Sequence, residues 1–113
     1  MPEKRNDTYV IEMSQPAKRD LAEISRYIAQ DNPLIAKKVK NRIVAKIATL
    51  DHFPYRGSYV PALLDRNVKE YRQISVPPWK IIYKVEGKKV QILTIIDSRR
   101  DLQDILIKKF LKS

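Results

Sequence analysis

The sequence predicts an α+β fold in which an antiparallel helical hairpin packs on a small curved antiparallel sheet. Two observations support this prediction. Apolar residues recur at helical spacing in two consecutive segments of the first half of the chain. Three short runs rich in β-branched and aromatic residues then follow one another between Val68 and Asp97. An N-terminal strand and a short C-terminal helix complete the expected order.

Length and composition limit the possible classes of protein. The chain has 113 residues, of which 43% are hydrophobic, and this predicts a single domain spanning residues 1–113 with one core. There is no cysteine, which excludes disulfides and thiolate metal sites, and the single histidine cannot form a histidine cluster. We therefore expect no cofactor and no metal. A reducing, cytoplasmic location fits this composition.

No segment is predicted to be a signal peptide or to span a lipid bilayer. Residues Met1–Thr8 are polar and lack the apolar centre of a signal peptide. The longest apolar run, near Ile92–Ile96, is far too short to span a membrane.

The chain is strongly basic. It carries 23 lysine and arginine residues against 13 acidic ones, for a net charge of +10 and a pI near 9.9. Such a field attracts nucleic acid, anionic membranes or an acidic protein. The alternative is that the excess lysine serves solubility alone.

The first half of the chain predicts a strand followed by two helices. Tyr9–Met13 has strand composition, and Ser14 is a suitable N-cap for a helix with Pro16 in its first turn. Asn32 and Pro33 begin the second helix in the same way. The two apolar stripes are Ala17, Leu21, Ile24 and Ile28, and then Ala36, Val39, Ile43, Ile47 and Leu50. Lys38, Arg42 and Lys46 follow the second helix at four-residue intervals, as a contact surface or a solvated face.

Residues 51–67 are expected to be irregular, because Pro54, Gly57 and Pro61 interrupt them. We expect their apolar side chains to pack the loop against the body: Phe53, Tyr55, Tyr59, Val60, Leu63 and Leu64. His52 lies at the end of the second helix, where it could act as a general base or as a helix cap.

The second half predicts three strands, Val68–Val76, Trp79–Val85 and Val90–Asp97. Gly87 permits a hairpin turn between the last two, and Pro77-Pro78 separates the first two. Alternation places Trp79, Ile81, Tyr83 and Val85 on one face and Lys80, Ile82 and Lys84 on the other. Ser98 and Asp101 resemble a capping box for a last helix, with an apolar face formed by Leu102, Ile105, Leu106 and Phe110.

A cationic cluster is the main candidate site. It comprises Lys69, Arg72, Lys80, Arg99 and Arg100, on neighbouring strands or just past a strand end. Such a cluster could bind phosphate, or stabilise a phosphorane without metal. The alternative is that Arg99 and Arg100 form weak surface pairs with Asp97 and Asp101. No glycine-rich phosphate loop, nucleophile elbow or useful pair of acids is present.

Together, several segments resemble the RelE/ParE superfamily of toxins, from about Tyr9 to Phe110. They are Ser14-x-x-Ala17-x-x-Asp20-Leu21-x-x-Ile24, Asn32-Pro33-x-x-Ala36, Phe53-Pro54, Tyr71-Arg72, Ile81-Ile82-Tyr83 and Ile92-Leu93 with Arg99-Arg100-Asp101. The resemblance implies the toxin of a type II toxin–antitoxin pair and a cognate antitoxin with an acidic segment. It also implies a hetero-oligomer of the two proteins.

The resemblance implies two possible activities. RelE-like members cut mRNA on the ribosome with basic residues and a tyrosine or histidine, whereas ParE-like members inhibit DNA gyrase without catalysis. Arg72, Lys80 and Arg99 match basic positions of the nuclease branch. Ile74 and Ile105 stand where a lysine and the C-terminal tyrosine would be expected. The ParE-like branch is therefore favoured.

Three hypotheses follow. The first is a non-catalytic gyrase inhibitor whose target-binding residues are Lys69, Arg72, Lys80, Tyr83, Arg99 and Arg100. The second is a metal-independent, ribosome-dependent mRNA endonuclease in which Arg72, Lys80 and Arg99 are catalytic. The third is a degenerate member that is no longer toxic and only binds its partner.

Overall fold

The computed structural model describes residues 8–100 and 102–111. Five strands form one sheet: β1 (Val10–Met13), β2 (Ser58–Tyr59), β3 (Arg72–Val76), β4 (Trp79–Glu86) and β5 (Lys89–Asp97). The helices are α1 (Gln15–Ala29), α2 (Pro33–Ala48), α3 (Pro61–Leu64) and α4 (Leu102–Phe110), with a 3-10 turn at Thr49–Asp51. The predicted α+β class is confirmed.

The helical hairpin begins where its capping residues predict. The Ser14 hydroxyl accepts a hydrogen bond from the Ala17 amide at 3.2 Å, at the start of α1. The Asn32 side chain accepts one from the Ile35 amide at 3.1 Å, at the start of α2. The stripe predicted for the second helix is buried: Ala36, Val39, Ile43 and Ile47 lie on α2, and Leu50 lies in the 3-10 turn that follows it. Capping and apolar spacing therefore account for both helices.

The sheet has the order β1-β5-β4-β3-β2. The pairs β2–β3, β3–β4 and β4–β5 are antiparallel. The turn between β4 and β5 is the predicted one, with Gly87 at a φ of +58°. β1 joins β5 in parallel, from Val10 beside Lys89 to Met13 beside Ile92. Because β5 continues to Asp97, its last five residues run past the end of β1.

The sheet has a hydrophobic core on each face. The core beneath α1 and α2 contains Ile74, Ile81, Tyr83, Ile92 and the buried helix residues. The core on the other face contains Ile82 and Ile96 with Val60, Leu63 and Leu106 from α3 and α4. The alternation expected for β4 is confirmed, since Ile81 and Ile82 belong to different cores. The C-terminal helix thus packs back on the domain.

Three expectations about the middle of the chain need correction. The third-last strand begins at Arg72 and not at Val68, because its outer neighbour β2 has only two residues and pairs from Tyr59 beside Arg72. Residues 51–67 are not wholly irregular, since they hold β2 and α3. Of the side chains expected to pack this loop against the body, Val60 and Leu63 are buried, but four are exposed: Phe53, Tyr55, Tyr59 and Leu64. The proposed capping box lies partly outside the described residues, because Asp101 is not among them.

Ile43→Ala should destabilise the protein by about 2–5 kcal/mol, because Ile43 has no exposed surface and lies between α2 and the sheet. The measurement is urea unfolding. Val44→Ala is the matched control, because Val44 is the next residue and is 45% exposed. This substitution should lower the free energy of unfolding by less than about 1 kcal/mol. Equal losses from the two variants would contradict the placement of the core.

Candidate functional site

Arg72 is held by the loop that precedes β2. Its Nη1 donates a hydrogen bond of 2.8 Å to the Gly57 carbonyl and a longer one of 3.4 Å to the Tyr55 carbonyl. The guanidinium also lies 4.7 Å from the ring centre of Tyr59 and 5.2 Å from that of Tyr55. Arg72 therefore acts first as a clamp on this loop, with both hydrogen bonds made through Nη1.

Tyr83 fixes the same loop from beneath. Its side chain is fully buried, and its hydroxyl donates to the Pro54 carbonyl at 2.8 Å and accepts from the Gly57 amide at 3.0 Å. Burial raises the pKa of Tyr83, because the phenolate would lose its hydration. A Cβ at Gly57 would lie 2.6 Å from the Tyr83 hydroxyl, so only glycine fits there. The structure thus places Tyr83 in the core, away from any binding surface.

Lys80 lies on the opposite face of the sheet from Arg72. Arg72 lies on the same side of β3 as Ile74, which faces the core beneath the hairpin. Lys80 lies on the same side of β4 as Ile82, which faces the other core. The Lys80 ammonium donates to the Ser75 hydroxyl at 2.8 Å. A single phosphate could not contact both cations, because the sheet separates them.

Arg99 and Arg100 follow the C-terminal end of β5 and are exposed. Arg99 forms a bidentate pair with Asp97, with Nη2 to Oδ2 at 2.7 Å and Nε to Oδ1 at 2.9 Å. The side-chain and backbone hydrogen bonds from Arg99 lower the pKa of Asp97 to about 2. The surface pairing considered for Arg99 is therefore present. The Arg100 amide donates to the Asp97 carbonyl at 3.1 Å, and Arg100 is exposed.

The structure does not gather the five predicted cations. Lys69 and Arg72 share a small cavity of about 230 Å³ with Tyr55. Arg99 and Arg100 lie beyond the other end of β4, past its first residue Trp79. The predicted set divides into an Arg72 end, an isolated Lys80 and an Arg99–Arg100 end.

The groups expected to handle protons in a nuclease are also missing at the corresponding positions. Ile74 is buried in the core beneath the hairpin, and Ile105 packs against the other core. The exposed His52 accepts or donates a 2.8 Å hydrogen bond with Asp51, its sequence neighbour, at the end of the 3-10 turn. Among the described residues no group of three histidine or acidic side chains could hold a metal ion.

A concavity runs along the part of β5 that β1 leaves uncovered, and we name it the β5-edge groove. Its volume is about 800 Å³. Apolar side chains of α1, α4, β4 and β5 line it, with charged residues at its rim: Ile24, Tyr27, Ile28, Trp79, Ile95 and Ile105 with Asp20, Glu23, Asp97, Arg99, Arg100 and Lys109. Tyr27 is 74% exposed. The sequence shows the arginines but gives no signal that an open strand edge lies beside them.

Side chains from the start of α1 cap this edge. The Ser14 hydroxyl donates to the Leu93 carbonyl at 3.0 Å. Asp20 accepts from the Ile95 amide at 2.9 Å and from the Thr94 hydroxyl at 2.7 Å through one carboxylate oxygen. These contacts satisfy edge groups that a neighbouring strand would otherwise pair. Asp20 was not among the predicted site residues, because its partners lie 74 and 75 positions away.

A family model decides the relationship of the chain to known proteins. The model described as the ParE toxin of the type II toxin–antitoxin system parDE matches residues 11–102. The chain belongs to the ParE toxin family. It is 32% identical over 99 residues to Toxin ParE3 of Caulobacter vibrioides, covering 85% of this chain and 93% of that toxin. The predicted membership of the RelE/ParE superfamily, in its ParE-like branch, is confirmed.

Two solved structures share the ParE fold of this chain. One is the chromosomal ParDE toxin–antitoxin system from P. aeruginosa, with a TM-score of 0.66, 24% identity and coverage of 81% of this chain and 98% of that one. The other is the toxin–antitoxin complex RelBE2 from Mycobacterium tuberculosis, with a TM-score of 0.55, 19% identity and coverage of 80% and 98%. In the described part of the ParE chain, no helix is long and apolar enough to cross a membrane.

Tyr83→Phe should destabilise this ParE protein by about 1–3 kcal/mol, because it leaves the Pro54 carbonyl and the Gly57 amide buried without their partner. Urea unfolding measures the change. Tyr27→Phe removes a hydroxyl from a side chain that is 74% exposed, and it should change stability by less than about 0.5 kcal/mol. A loss for Tyr83→Phe no larger than for Tyr27→Phe would contradict the clamp.

The Asp97–Arg99 pair should make stability depend on acid. Because the folded pKa of Asp97 is lowered to about 2, its contribution is present above pH 4 and is lost as the pH falls towards 2. Solvent screening keeps this contribution small. Asp97→Asn should therefore be less stable than the parent at pH 5 and equally stable near pH 2. The urea midpoints at both pH values test this, and an equal difference at both would contradict it.

Proposed function

We propose that this ParE-family protein inhibits DNA gyrase by a protein–protein contact and is neutralised by a cognate antitoxin. The observation that supports the gyrase contact is the β5-edge groove with Arg99 and Arg100 at its rim. It combines exposed aromatic and apolar surface with arginine, the composition that protein interfaces favour at their centres. Tyr27 and Arg100 are the expected anchors, since both are exposed.

The geometry gives less support to mRNA cleavage. Stabilising a phosphorane requires several donors aimed at one phosphate. Arg72 and Lys80 lie on opposite faces of the sheet, and Arg99 is already paired with Asp97. The buried Ile74 and half-buried Ile105 supply no acid–base group. Without donors that converge and without a proton acceptor, these residues support binding better than catalysis.

The antitoxin is proposed from family membership and from charge. The structural neighbours from P. aeruginosa and M. tuberculosis are toxin–antitoxin systems. A net charge of +10 favours rapid association with an acidic segment that folds as it binds. We therefore propose a hetero-oligomer of toxin and antitoxin as the resting form of this protein.

Replacing both rim arginines should separate the gyrase hypothesis from its rivals. In a supercoiling assay with purified gyrase, Arg99→Ala/Arg100→Ala should need roughly tenfold more protein for half inhibition, since interface arginines commonly contribute more than about 1 kcal/mol each. Arg42→Ala is the control, because Arg42 is exposed on α2 and does not line the groove. It should inhibit within about twofold of the parent.

Three outcomes would count against the proposal. Undiminished inhibition by the double variant would remove the β5-edge groove as the gyrase contact. A parent protein that leaves gyrase active but cuts ribosome-bound mRNA would establish the nuclease alternative. A parent protein that does neither, and does not slow growth when expressed without antitoxin, would identify a degenerate binding member.

A further inference from the structure

A row of four cations follows one side of α2 and the loop beyond it, and we name it the α2 row: Lys38, Arg42, Lys46 and Arg56. The first three are four residues apart, so they lie one above another on one side of the helix at intervals of about 6 Å. Lys38 and Arg42 are exposed, and Lys46 is half-buried. They form a line of positive charge on a regular helix.

Arg56 extends this line past the end of α2. Its Nη1 donates a hydrogen bond of 2.8 Å to the Thr49 hydroxyl, and that hydroxyl donates to the Lys46 carbonyl at 2.7 Å. Thr49 comes three residues after Lys46 and seven after Arg42, which places it on the side of the helix that carries the row. From Lys38 to Thr49 the row is about 16 Å long. Its fourth cation is thus positioned by the helix itself.

No carboxylate of the described part of the chain forms an ion pair with any cation of the α2 row. α2 has no acidic residue, whereas the two other helices of nine residues or more carry carboxylates beside their cations. In α4, for example, Lys108 pairs with Asp104. Asp51, which follows α2, is bonded to His52. An anionic ligand could therefore meet the row without displacing an internal carboxylate.

The row destabilises the helix that carries it. Lys38 and Arg42 are like charges at four-residue spacing, and so are Arg42 and Lys46, and such pairs repel each other on a helix surface. A ligand with a regular line of negative charge would relieve both repulsions at once. An isolated carboxylate would relieve only the repulsion beside it. The pattern therefore favours a polyanion over a single anionic group.

Duplex DNA fits the dimensions of the row. Each strand carries one phosphate per about 3.4 Å of axis, so about 16 Å of row can meet four phosphates of one backbone. An anionic membrane fits less well, because an interfacial helix inserts its apolar face, and the apolar stripe of α2 is buried. Single strands are bound along stacked aromatic side chains, but the exposed Phe53 and Tyr55 lie in the loop at one end of the row.

We propose that the α2 row binds the phosphate backbone of duplex DNA without preference for its sequence. Backbone contacts of this kind hold and orient a protein but do not read the bases. Binding would concentrate the toxin on DNA, the molecule on which its proposed target acts. The inference goes beyond gyrase inhibition and does not depend on it, because the α2 row shares no residue with the β5-edge groove.

Two double variants with equal net charge test the row. Lys38→Gln/Arg42→Gln removes two of its cations. Lys37→Gln/Lys40→Gln is the matched control, because both lysines are exposed on α2 but lie about 100° or more around the helix axis from the row. Lys40 faces a concavity that α1 lines. Fluorescence anisotropy of a short labelled DNA duplex, titrated with the full chain at several salt concentrations, gives the association constants.

The salt dependence distinguishes contacts from general attraction. For four phosphate contacts, the logarithm of the association constant should fall with the logarithm of the salt concentration with a slope of about −3.6. The row variant should have a slope of about −1.8, because two contacts are lost, and should bind about tenfold more weakly. The control should keep the parent's slope and bind within about threefold, since only the general field is reduced. A duplex of unrelated sequence should give the same affinities.

Protection of lysines in the parent protein is a second measurement, and it needs no variant. Bound duplex DNA should slow acetylation of Lys38 and Lys46 by a small reagent several-fold, as measured by mass spectrometry. Lys40 should react at the same rate with and without DNA. Circular dichroism melting checks that both double variants retain the fold.

Equal slopes for the two double variants, or equal protection of Lys38 and Lys40, would overturn the α2 row, because general charge would then explain the binding. A parent that does not bind the duplex, that binds a single strand of the same length more tightly, or that binds anionic lipid vesicles equally well would overturn the choice of duplex DNA. These measurements contain no gyrase, so failure of the gyrase hypothesis would leave their results unchanged.

Discussion

The burial of both faces of β4 constrains everything that this protein can present to a partner. Ile81 and Tyr83 lie beneath the helical hairpin, and Ile82 lies beneath α3 and α4. A sheet covered on both faces cannot offer a face as a binding platform. What remains accessible is the edge of β5, the loops and the outer surface of the helices. The strand cations Arg72 and Lys80 consequently form hydrogen bonds within the chain.

The positive charge of the chain therefore divides into committed and available groups. Arg72, Lys80 and Arg99 each bond a carbonyl, a hydroxyl or a carboxylate of the same chain. The α2 helix is the opposite case, because it carries five cations and no acidic residue. Like charges three or four positions apart destabilise a helix by about 0.2–0.5 kcal/mol per pair. Burial of its apolar stripe must offset that repulsion, so this cationic surface costs stability that a mixed surface would not.

Local features of the sequence predicted most of the fold. Ser14 and Asn32 mark the helix starts because a cap is made with the backbone three residues later. Gly87 marks the β4–β5 turn because that turn needs a positive φ. In each case the decisive contact lies within a few residues.

The errors and omissions come from contacts between distant residues. Tyr83 bonds two loop residues that lie 26 and 29 positions before it in the sequence. Asp20 of α1 bonds a residue of β5 that lies 74 positions after it. Nothing near Arg72 in the sequence indicates that the Gly57 carbonyl would hold it. The predicted cationic cluster combines residues of neighbouring strands, but the register of β3 against β4 places Arg72 and Lys80 on opposite faces of the sheet. Which cations share a site depends on sheet register, and one sequence does not determine it.

The β5-edge groove is lined on one side by α1, and the attachment of this helix to the sheet limits how binding elsewhere on α1 could affect the groove. Ala17 and Leu21 are buried, and Ser14 and Asp20 bond β5, so α1 is tied to the sheet along its first two turns. Moving α1 would expose the core and break these hydrogen bonds. A partner bound on the outer flank of α1 would therefore influence the β5-edge groove by steric overlap and by neutralising charge across the width of one helix. Coupling through a shift of α1 would need a second packing of that helix, and its tight anchoring to β5 disfavours one.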